Sequence, residues 1–361
     1  MKKKIKIYLF NPYPSLGGVD TTLKRFFLSL DLNYEIEYLS LKKTEKFNKQ
    51  NIKNTVINSS STFKAFFKIY NIVKKDTHEN KYFFSTQYFV NVWSVIFIKL
   101  ILKEKLFIYE VLPVSYFNYY NSYKELIKNK ILKIFVKFLY KYADIIASCS
   151  KELSKDLSKY VNKEVITIYN PCYKKSIKIK RAYKKKQKIR ILNIARFESQ
   201  KDHFTLLKAI NHTNLKDQIN LTLVGYGKNL KSIKEFIKVN KINAKILTKE
   251  NKLDKFYKNN DLYVCTSVFE GLPTTVVEAA SYGMPIISSD FKTGSNEIFK
   301  NGNAGSIFKV GDHKELSKLI MQFYKDPKIF FSKATNCREN LYRFSIKKNT
   351  DLFKKTIKRL D

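Results

Sequence analysis

The sequence predicts an α/β protein built from two doubly wound domains in tandem, each a parallel β-sheet layered with helices. Three observations carry this expectation. The chain has 361 residues, a length that suits two domains. Its hydrophobic content of 44% and aromatic content of 15% supply large cores and exclude a disordered or collagen-like chain. Short β-type runs alternate with helical patterns in two series, and a lysine-rich stretch separates them.

In the first series, strands are expected at 5–10, 34–39, 82–85, 106–110, 144–148 and 165–169, where Ile, Val, Phe and Tyr concentrate. Helical spacing of apolar residues appears at 21–30, 62–75, 90–103, 122–142 and 150–160. Ser150 is placed to cap the last of these, with Leu153 on its apolar face. Residues 171–190 then carry ten Lys or Arg and no acid, which reads as a solvated linker, with a phosphate-binding arm as the other option. The second series has strands at 189–195, 219–224, 244–247, 262–266 and 285–288, with helices at 203–211, 230–239, 253–258 and 273–282. The tail, 313–360, is largely helical, and no repeat of 20–50 residues is found. The expected division is therefore a first domain at 1–170, a basic linker at 171–188 and a second domain at 189–345. A final helix at 346–361 has the option of crossing back to the first domain.

Charge is the most uneven feature of the composition. With 69 Lys or Arg against 31 Asp or Glu, the formal net charge is +38, and both halves share the excess. Such a balance suits a nucleic acid, an anionic bilayer or a phosphorylated ligand without choosing among them. A codon bias toward Lys, Asn, Ile, Phe and Tyr accounts for it equally well. The four cysteines, at 149, 172, 265 and 337, have neither zinc-ligand nor redox-motif spacing and read as reduced cytosolic thiols. The basic start mimics a signal peptide, but its apolar run stops at Asn11-Pro12. The longest greasy stretch, 88–102, holds Asn91 and Lys99 and falls short of the roughly 18–20 residues needed to span a bilayer. No membrane span is expected, and the cytoplasm is the expected location.

Chemistry concentrates in residues 268–290. A strand ends in Thr266-Ser267, Glu270-Gly271 turn the chain, and Pro273 sits where a helix should begin, its missing N–H costing nothing there. The N–H groups of Thr274 and Thr275, with the helix dipole, favour an anion such as phosphate. Glu270 and Glu278, with seven residues between them, place one carboxylate at the helix mouth and another inside it. Gly271 lets a ligand approach the backbone, and Gly283-Met-Pro285 ends the helix. Such a site suits a ligand carrying both hydroxyls and phosphate. Upstream, Arg196 leaves a strand and Lys201 opens the next helix, a fork and a point charge able to meet a diphosphate.

This segment resembles the signature of the retaining glycosyltransferase family 4, whose fold, GT-B, has two Rossmann-like domains facing a central cleft. The two glutamates, Gly271, Leu272, Pro273, Ala279, Gly283 and Pro285 carry the likeness, and Gly294-Ser-Asn-Glu297-Ile298, Asn301-Gly302 and Val310-Gly-Asp312 extend it. Residues 191–202 resemble the family's Gly-Arg…Lys-Gly element, with Ala195 and Asp202 standing where it has glycine. Val224-Gly225-Tyr-Gly227 fits its Gly-x-Gly turn. In the first half, Gly17-Gly18 matches the glycine loop that approaches donor phosphates and acceptor, and Tyr169-Asn170-Pro171 matches the end of the first domain. A histidine many relatives carry after the strand at 106–110 is missing; Glu110 stands there instead.

The resemblance implies transfer of a sugar, with retained anomeric configuration, from a nucleoside-diphosphate donor, UDP before GDP. The acceptor would be a glycan or lipid-linked glycan of a bacterial surface polysaccharide, lipopolysaccharide or capsule. Glu270 would hold sugar hydroxyls, Glu278 the ribose, and Arg196 with Lys201 the diphosphate. No metal is implied, and the chain has no Asp-x-Asp element. The aromatic, basic helices at 90–103 and 131–142 suit peripheral contact with an anionic membrane, although half or more of their residues should pack on the sheet. Three other readings stay open: a basic nucleic-acid-binding protein, for which no signature is visible, a sugar phosphorylase or epimerase with a related two-domain fold, which the glutamate pair fits less well, and a catalytically idle partner subunit.

Overall fold

A computed structural model describes residues 5–14, 17–42, 49–120, 122–177, 188–248, 250 and 252–360. One compact unit runs to Pro171 and takes in the residues from Ile346 on; a second spans Cys172–Ser345.

The first unit begins with β1 (Ile5–Phe10), α1 (Gly18–Ser29), β2 (Tyr34–Ser40), β3 (Ile52–Val56), α2 (Thr62–Lys75) and β4 (Lys81–Thr86). It continues with α3 (Tyr88–Ser94), β5 (Lys105–Glu110), α4 (Tyr123–Leu139), β6 (Ile145–Ser148), α5 (Lys151–Val161) and β7 (Ile166–Thr167). All seven strands are parallel, in the order β3-β2-β1-β4-β5-β6-β7. Strands buried on both faces take apolar residues at successive positions, which is why β4 holds Tyr82-Phe-Phe84 and β5 Leu106-Phe-Ile-Tyr109. Ser150 caps α5 by accepting from the Leu153 N–H at 3.2 Å, and Leu153 is fully buried.

The second unit holds β8 (Ile189–Ile194), α6 (His203–His212), β9 (Ile219–Val224), α7 (Leu230–Val239), β10 (Ala244–Leu247), α8 (Asp254–Asn259) and β11 (Leu262–Cys265). After these come α9 (Thr274–Ser281), β12 (Ile286–Ser289), α10 (Ser295–Phe299), β13 (Ser306–Phe308), α11 (His313–Lys325) and α12 (Lys328–Glu339). Its six parallel strands run β10-β9-β8-β11-β12-β13. Chain order reverses between β8 and β11, so the loops leaving their carboxyl ends border one crevice. The last helix, α13 (Ile346–Ile357), belongs to the first unit. Its Phe353 is fully buried, with its ring 4.5 Å from Phe26 and 5.3 Å from Phe27.

Several boundaries depart from the sequence reading. The helix expected over 90–103 is α3 followed by a π-helical stretch, Val95–Ile101, and the one over 122–142 ends in a 3-10 turn, Tyr140–Tyr142. The expected strand at 165–169 shrinks to two residues. Two strands, β3 and β13, were not expected. Half of the basic stretch, 178–187, lies outside the described residues, so the linker and phosphate-arm readings do too. Residues just before it belong to the second unit: the Ile177 N–H donates to the Ser281 carbonyl at 2.9 Å. All four cysteines are buried, and none is in a disulfide. Among the described residues, no helix is long and apolar enough to cross a membrane.

Candidate functional site at the β8–β11 switch point

The carboxyl end of β8 is pinned from the side by the turn after β9. The Ala195 N–H donates to the Val224 carbonyl at 3.0 Å and the Phe197 N–H to the Tyr226 carbonyl at 2.7 Å. This pairing brings the Ala195 carbonyl so close to Gly225 that a Cβ there would lie 1.9 Å from the oxygen. Only glycine fits. Between the two pinned residues, Arg196 is thrown outward and exposed, its Nη2 3.5 Å from Gln200 Oε1.

Lys201 does not open a helix, as the sequence suggests. It closes a 3-10 turn, Ser199–Lys201, and α6 starts two residues later, at His203. Asp202 sits between them with φ +41°, a left-handed conformation that suits glycine, and its carboxylate caps α6. The Thr205 N–H and hydroxyl donate to it at 3.2 and 2.6 Å. The turn is laced to the loop after β11. Gln200 Nε2 donates to the Phe269 carbonyl at 2.8 Å, the Val268 N–H to the Gln200 carbonyl at 2.8 Å, and Thr266 Oγ1 to the Lys201 carbonyl at 2.9 Å.

Lys201 Nζ is thereby delivered onto Glu270 Oε1 as an ion pair, the two side chains 15% and 10% exposed. Ser267 Oγ donates to the same oxygen at 2.6 Å. The loop is clamped from behind, because Thr293 Oγ1 donates to the Glu270 carbonyl at 2.6 Å. Gly294, at φ +81°, leaves only 2.5 Å between a would-be Cβ and the Gly271 carbonyl oxygen. Pro273, expected as the first helical residue, is instead the N-cap of α9 with extended ψ of 107°, so Thr274 and Thr275 open the helix one residue later. Gly271, Leu272 and Pro273 are buried beneath them. First-turn N–H groups have no partner within their own helix, which leaves this half-buried end able to receive an anion.

Glu278 lies on the same face of α9 as Thr275, three residues on. Its Oε2 accepts from the buried Tyr257 hydroxyl at 2.9 Å. Tyr257 stacks on Tyr282 with centroids 5.2 Å apart and lies beside Tyr263. The Tyr263 hydroxyl bonds Thr275 Oγ1 at 2.9 Å and the Ile194 carbonyl at 3.2 Å, which ties this face of α9 to the end of β8.

Burial, then the neighbouring Glu278, pushes the Tyr257 hydroxyl far above the phenol range, so it is a permanent donor to that carboxylate. Burial, reinforced by Lys201, lowers His203 to about 4 and keeps it neutral. Cys265, under the Glu270 loop, is raised by burial and is not a thiolate nucleophile. Among the described residues, no group of three or more His, Cys, Asp or Glu is placed to hold a metal ion.

In the first unit, Gly17 is the N-cap of α1 and Gly18 its first residue. Asp20, in the same turn, takes a hydrogen bond from Asn11 Nδ2 at 2.6 Å. Glu110, at the position where the family resemblance leads one to expect a histidine, is fully buried. It accepts from the Val111 and Leu112 N–H groups, Asn91 Nδ2 and the Tyr140 hydroxyl, at 2.9, 3.3, 3.0 and 3.0 Å. Desolvation raises it to about 7. A side chain so enclosed holds the end of β5 and does not reach a substrate.

The structure thus brings Arg196, Lys201 and Glu270 together, with Glu278 and Thr275 further along α9, while Gly17 and Gly18 belong to the other unit. Sequence reasoning missed Gln200, Ser267, Tyr257 and Thr293. Ser267 alone had a signal, as the polar end of a strand.

The chain is similar to several known proteins. The profile of the family described as Glycosyl transferases group 1 matches residues 175–359, just over half of the chain. An uncharacterized glycosyltransferase of Methanocaldococcus jannaschii is 30% identical over 202 residues, 49% of this chain and 47% of that protein, so the match spans about half its length. A Campylobacter jejuni enzyme that adds α-1,4-N-acetyl-D-galactosamine to an undecaprenol-diphosphate-linked glycan is 23% identical over 290 residues, 80% of this chain and 76% of that one. In structure, the chain is similar to Anabaena HepE, solved in complex with UDP-glucose, with a TM-score of 0.78, 16% identity and coverage of 98% and 100%. At that identity the likeness is one of fold, and the fold is GT-B. The chain belongs to the group 1 glycosyl transferases and is a glycosyltransferase.

Proposed function

We propose that the chain is a retaining transferase of family 4 type that moves a hexosyl or N-acetylhexosaminyl group from a nucleoside-diphosphate sugar, UDP-linked before GDP-linked, to a glycan or lipid-linked glycan acceptor. The observation that carries this reading is the pairing of Lys201 with Glu270 at the mouth of α9, between exposed Arg196 and the held carboxylate of Glu278. Two cations and two acids at this switch point suit the charge of a diphosphate and the hydroxyls of a sugar and a ribose. Arg196, Lys201 and the N–H groups of Thr274 and Thr275 take the diphosphate. Glu270 accepts from sugar hydroxyls and Glu278 from the ribose. Gly225, Gly271, Leu272 and Pro273 shape the backbone against the nucleotide, and Gly17 and Gly18 serve the donor phosphates and acceptor from the first domain.

In the reaction the bond from the anomeric carbon to the diphosphate oxygen breaks. The acceptor oxygen bonds to that carbon on the same face, and its proton passes to the departing phosphate oxygen. Lys201 and Arg196 stabilise the charge that develops on the leaving group, so neither a protein nucleophile nor a metal is needed. Support for the lipid-linked acceptor comes from the Campylobacter relative, and for UDP from HepE. On this reading the chain works in the cytoplasm, where a lipid-linked acceptor is met at the inner face of the membrane.

The test is a thermal-shift series with UDP, GDP and their sugars, followed by mass spectrometry of products on lipid-linked acceptors. Glu278→Ala should weaken nucleotide binding at least tenfold; unchanged affinity for UDP and GDP removes the assignment.

A further inference from the structure

Helix α4 is apolar on two sides, and only one of them is covered. Asn129, Leu132, Val136 and the following Tyr140 face the core and are buried. Tyr123, Ile127, Ile131, Ile134, Phe135 and Phe138 are all exposed, Tyr123 at 76% and Phe138 at 57%. At about 100° per residue these six fall within roughly 120° of arc, centred about 160° from the core-facing set. They form one continuous stripe turned directly away from the sheet. A helix apolar all round belongs inside a protein or against something else. The sequence reading, which put half or more of such residues against the sheet, accounts for the inner face only.

What flanks the stripe names the partner. Lys124, Lys128, Lys130, Lys137 and Lys141 are exposed beside it, and Glu125 is the helix's one acidic residue. Lys130, Lys137 and Lys141 line one border, and Lys124 and Lys128 lie toward the other. Two such faces brought together would oppose ten lysines, which disfavours a second copy. Apolar and aromatic side chains between rows of long cationic ones match a surface that is greasy below and anionic above, where lysine stems lie along the apolar layer and their ammonium groups reach headgroups. We propose that the outer face of α4 docks the chain on an anionic lipid bilayer, lying in the plane of the interface. This deepens the lipid-linked acceptor reading by assigning the surface that brings the chain to its substrate, and binding to vesicles needs neither donor nor acceptor.

The experiment is sedimentation of the full chain with vesicles of phosphatidylglycerol and phosphatidylcholine in equal parts, and of phosphatidylcholine alone. It is run at low salt and at about 0.5 M NaCl, where charge contacts are screened. Binding is expected on the anionic vesicles, at least tenfold weaker on neutral ones, and reduced by salt. The double variant Ile131→Ser, Phe138→Ser and, separately, Lys130→Gln, Lys137→Gln should each lower it at least tenfold while leaving the melting temperature and the UDP thermal shift unchanged. These residues are exposed, so the fold should tolerate both changes. Absence of vesicle binding, or binding that both variants retain, overturns the proposal. So does a concentration-dependent dimer that the serine variant abolishes in the absence of lipid. A UDP shift without vesicle binding removes the docking face and spares the donor site; vesicle binding without any nucleotide shift does the reverse.

Discussion

Replacing Glu270 by glutamine should strengthen the binding of a bare nucleoside diphosphate while impairing sugar transfer. Lys201 Nζ sits on Glu270 Oε1, and Ser267 Oγ shares that oxygen. A diphosphate recruited by Lys201 must therefore share the ammonium group with a carboxylate. Two charge-assisted contacts of about 2.8 Å in series put carboxylate and phosphate charges about 6 Å apart. For unit charges at that distance, an effective dielectric constant of 20 to 40 gives a repulsion of about 1.4–2.8 kcal/mol. Because both side chains retain some solvent contact, 15% and 10%, the lower figure applies. Removing the charge should then tighten UDP about tenfold.

Glutamine keeps the shape of the side chain and an oxygen for Ser267, so the loop should hold its position. Its amide is a poorer acceptor for sugar hydroxyls, and a hydrogen bond to a charged group contributes about 1.5–3 kcal/mol. Set against the tenfold gain on the diphosphate, which the complete donor also carries, the net loss in its kcat/KM is a few-fold to about 15-fold. Isothermal titration with UDP, run beside a transfer assay with the matching UDP-sugar, reads both effects on one preparation. UDP affinity that falls or stays constant in a folded Glu270→Gln variant would refute the shared-ammonium argument. A transfer rate that stays at the wild-type level would refute the role given to the carboxylate.

Three further outcomes are expected. Tyr257→Phe removes the donor to Glu278 Oε2; KM for the donor should rise about tenfold with kcat nearly constant, and the preference for a ribose over a 2′-deoxyribose donor should shrink, whereas an equal loss on both donors would mean that Tyr257 serves packing alone. Gly294→Ala forces a Cβ to within 2.5 Å of the Gly271 carbonyl oxygen at φ +81°; urea unfolding should show a loss of about 2–4 kcal/mol, and an unchanged midpoint would refute the clamp. Glu110, raised to about 7 from 4.5, contributes stability that is full below about pH 4.5 and lost as pH rises toward 7. Relative to Glu110→Gln, the wild type should therefore lose about 3 kcal/mol between pH 4 and pH 8, and a pH-independent difference would sink that assignment.

The legible parts of the fold were those where one residue type must repeat. Central strands such as β1, β4 and β5 are buried on both faces, and their apolar runs, Ile7–Phe10, Tyr82–Phe84 and Leu106–Tyr109, mark them in the sequence. Strand β3, Ile52-Lys-Asn-Thr-Val56, is an edge strand with one buried residue, so it needs no such run and reads as loop. Strand β13 has only three residues. In α4, sequence periodicity shows apolar positions but not which of two opposed stripes meets the sheet. The site divides in the same way. Glu270, Glu278, Arg196 and Lys201 stand out in the sequence because their motifs are local. The pairing of Lys201 with Glu270 across 69 positions, and of Tyr257 with Glu278 across 21, depends on which loops meet at the β8–β11 reversal.

The two places where the sequence departs from the family's glycines are explained by the same turn. At Ala195, close approach is needed on the facing side: a Cβ on Gly225 would lie 1.9 Å from the Ala195 carbonyl oxygen, so the glycine requirement falls on 225 and a methyl group is tolerated at 195. At Asp202 the backbone does adopt the left-handed conformation, at φ +41°, which costs an L-residue roughly 1–2 kcal/mol. The side chain offsets that cost by capping α6 through the Thr205 N–H and hydroxyl, a contribution of about 1 kcal/mol or more. Glycine would allow the turn; aspartate also fastens it to the helix behind. Since Lys201 immediately precedes Asp202, its direction toward Glu270 is set by a residue that the family pattern alone would count as a defect. Asp202→Gly should therefore keep the backbone path and loosen the ion pair. Transfer from the complete donor, which needs Lys201 and Glu270 in register, should slow with little change in melting temperature, while affinity for bare UDP should not fall; a variant that transfers as the wild type does would show that the cap does not position the lysine.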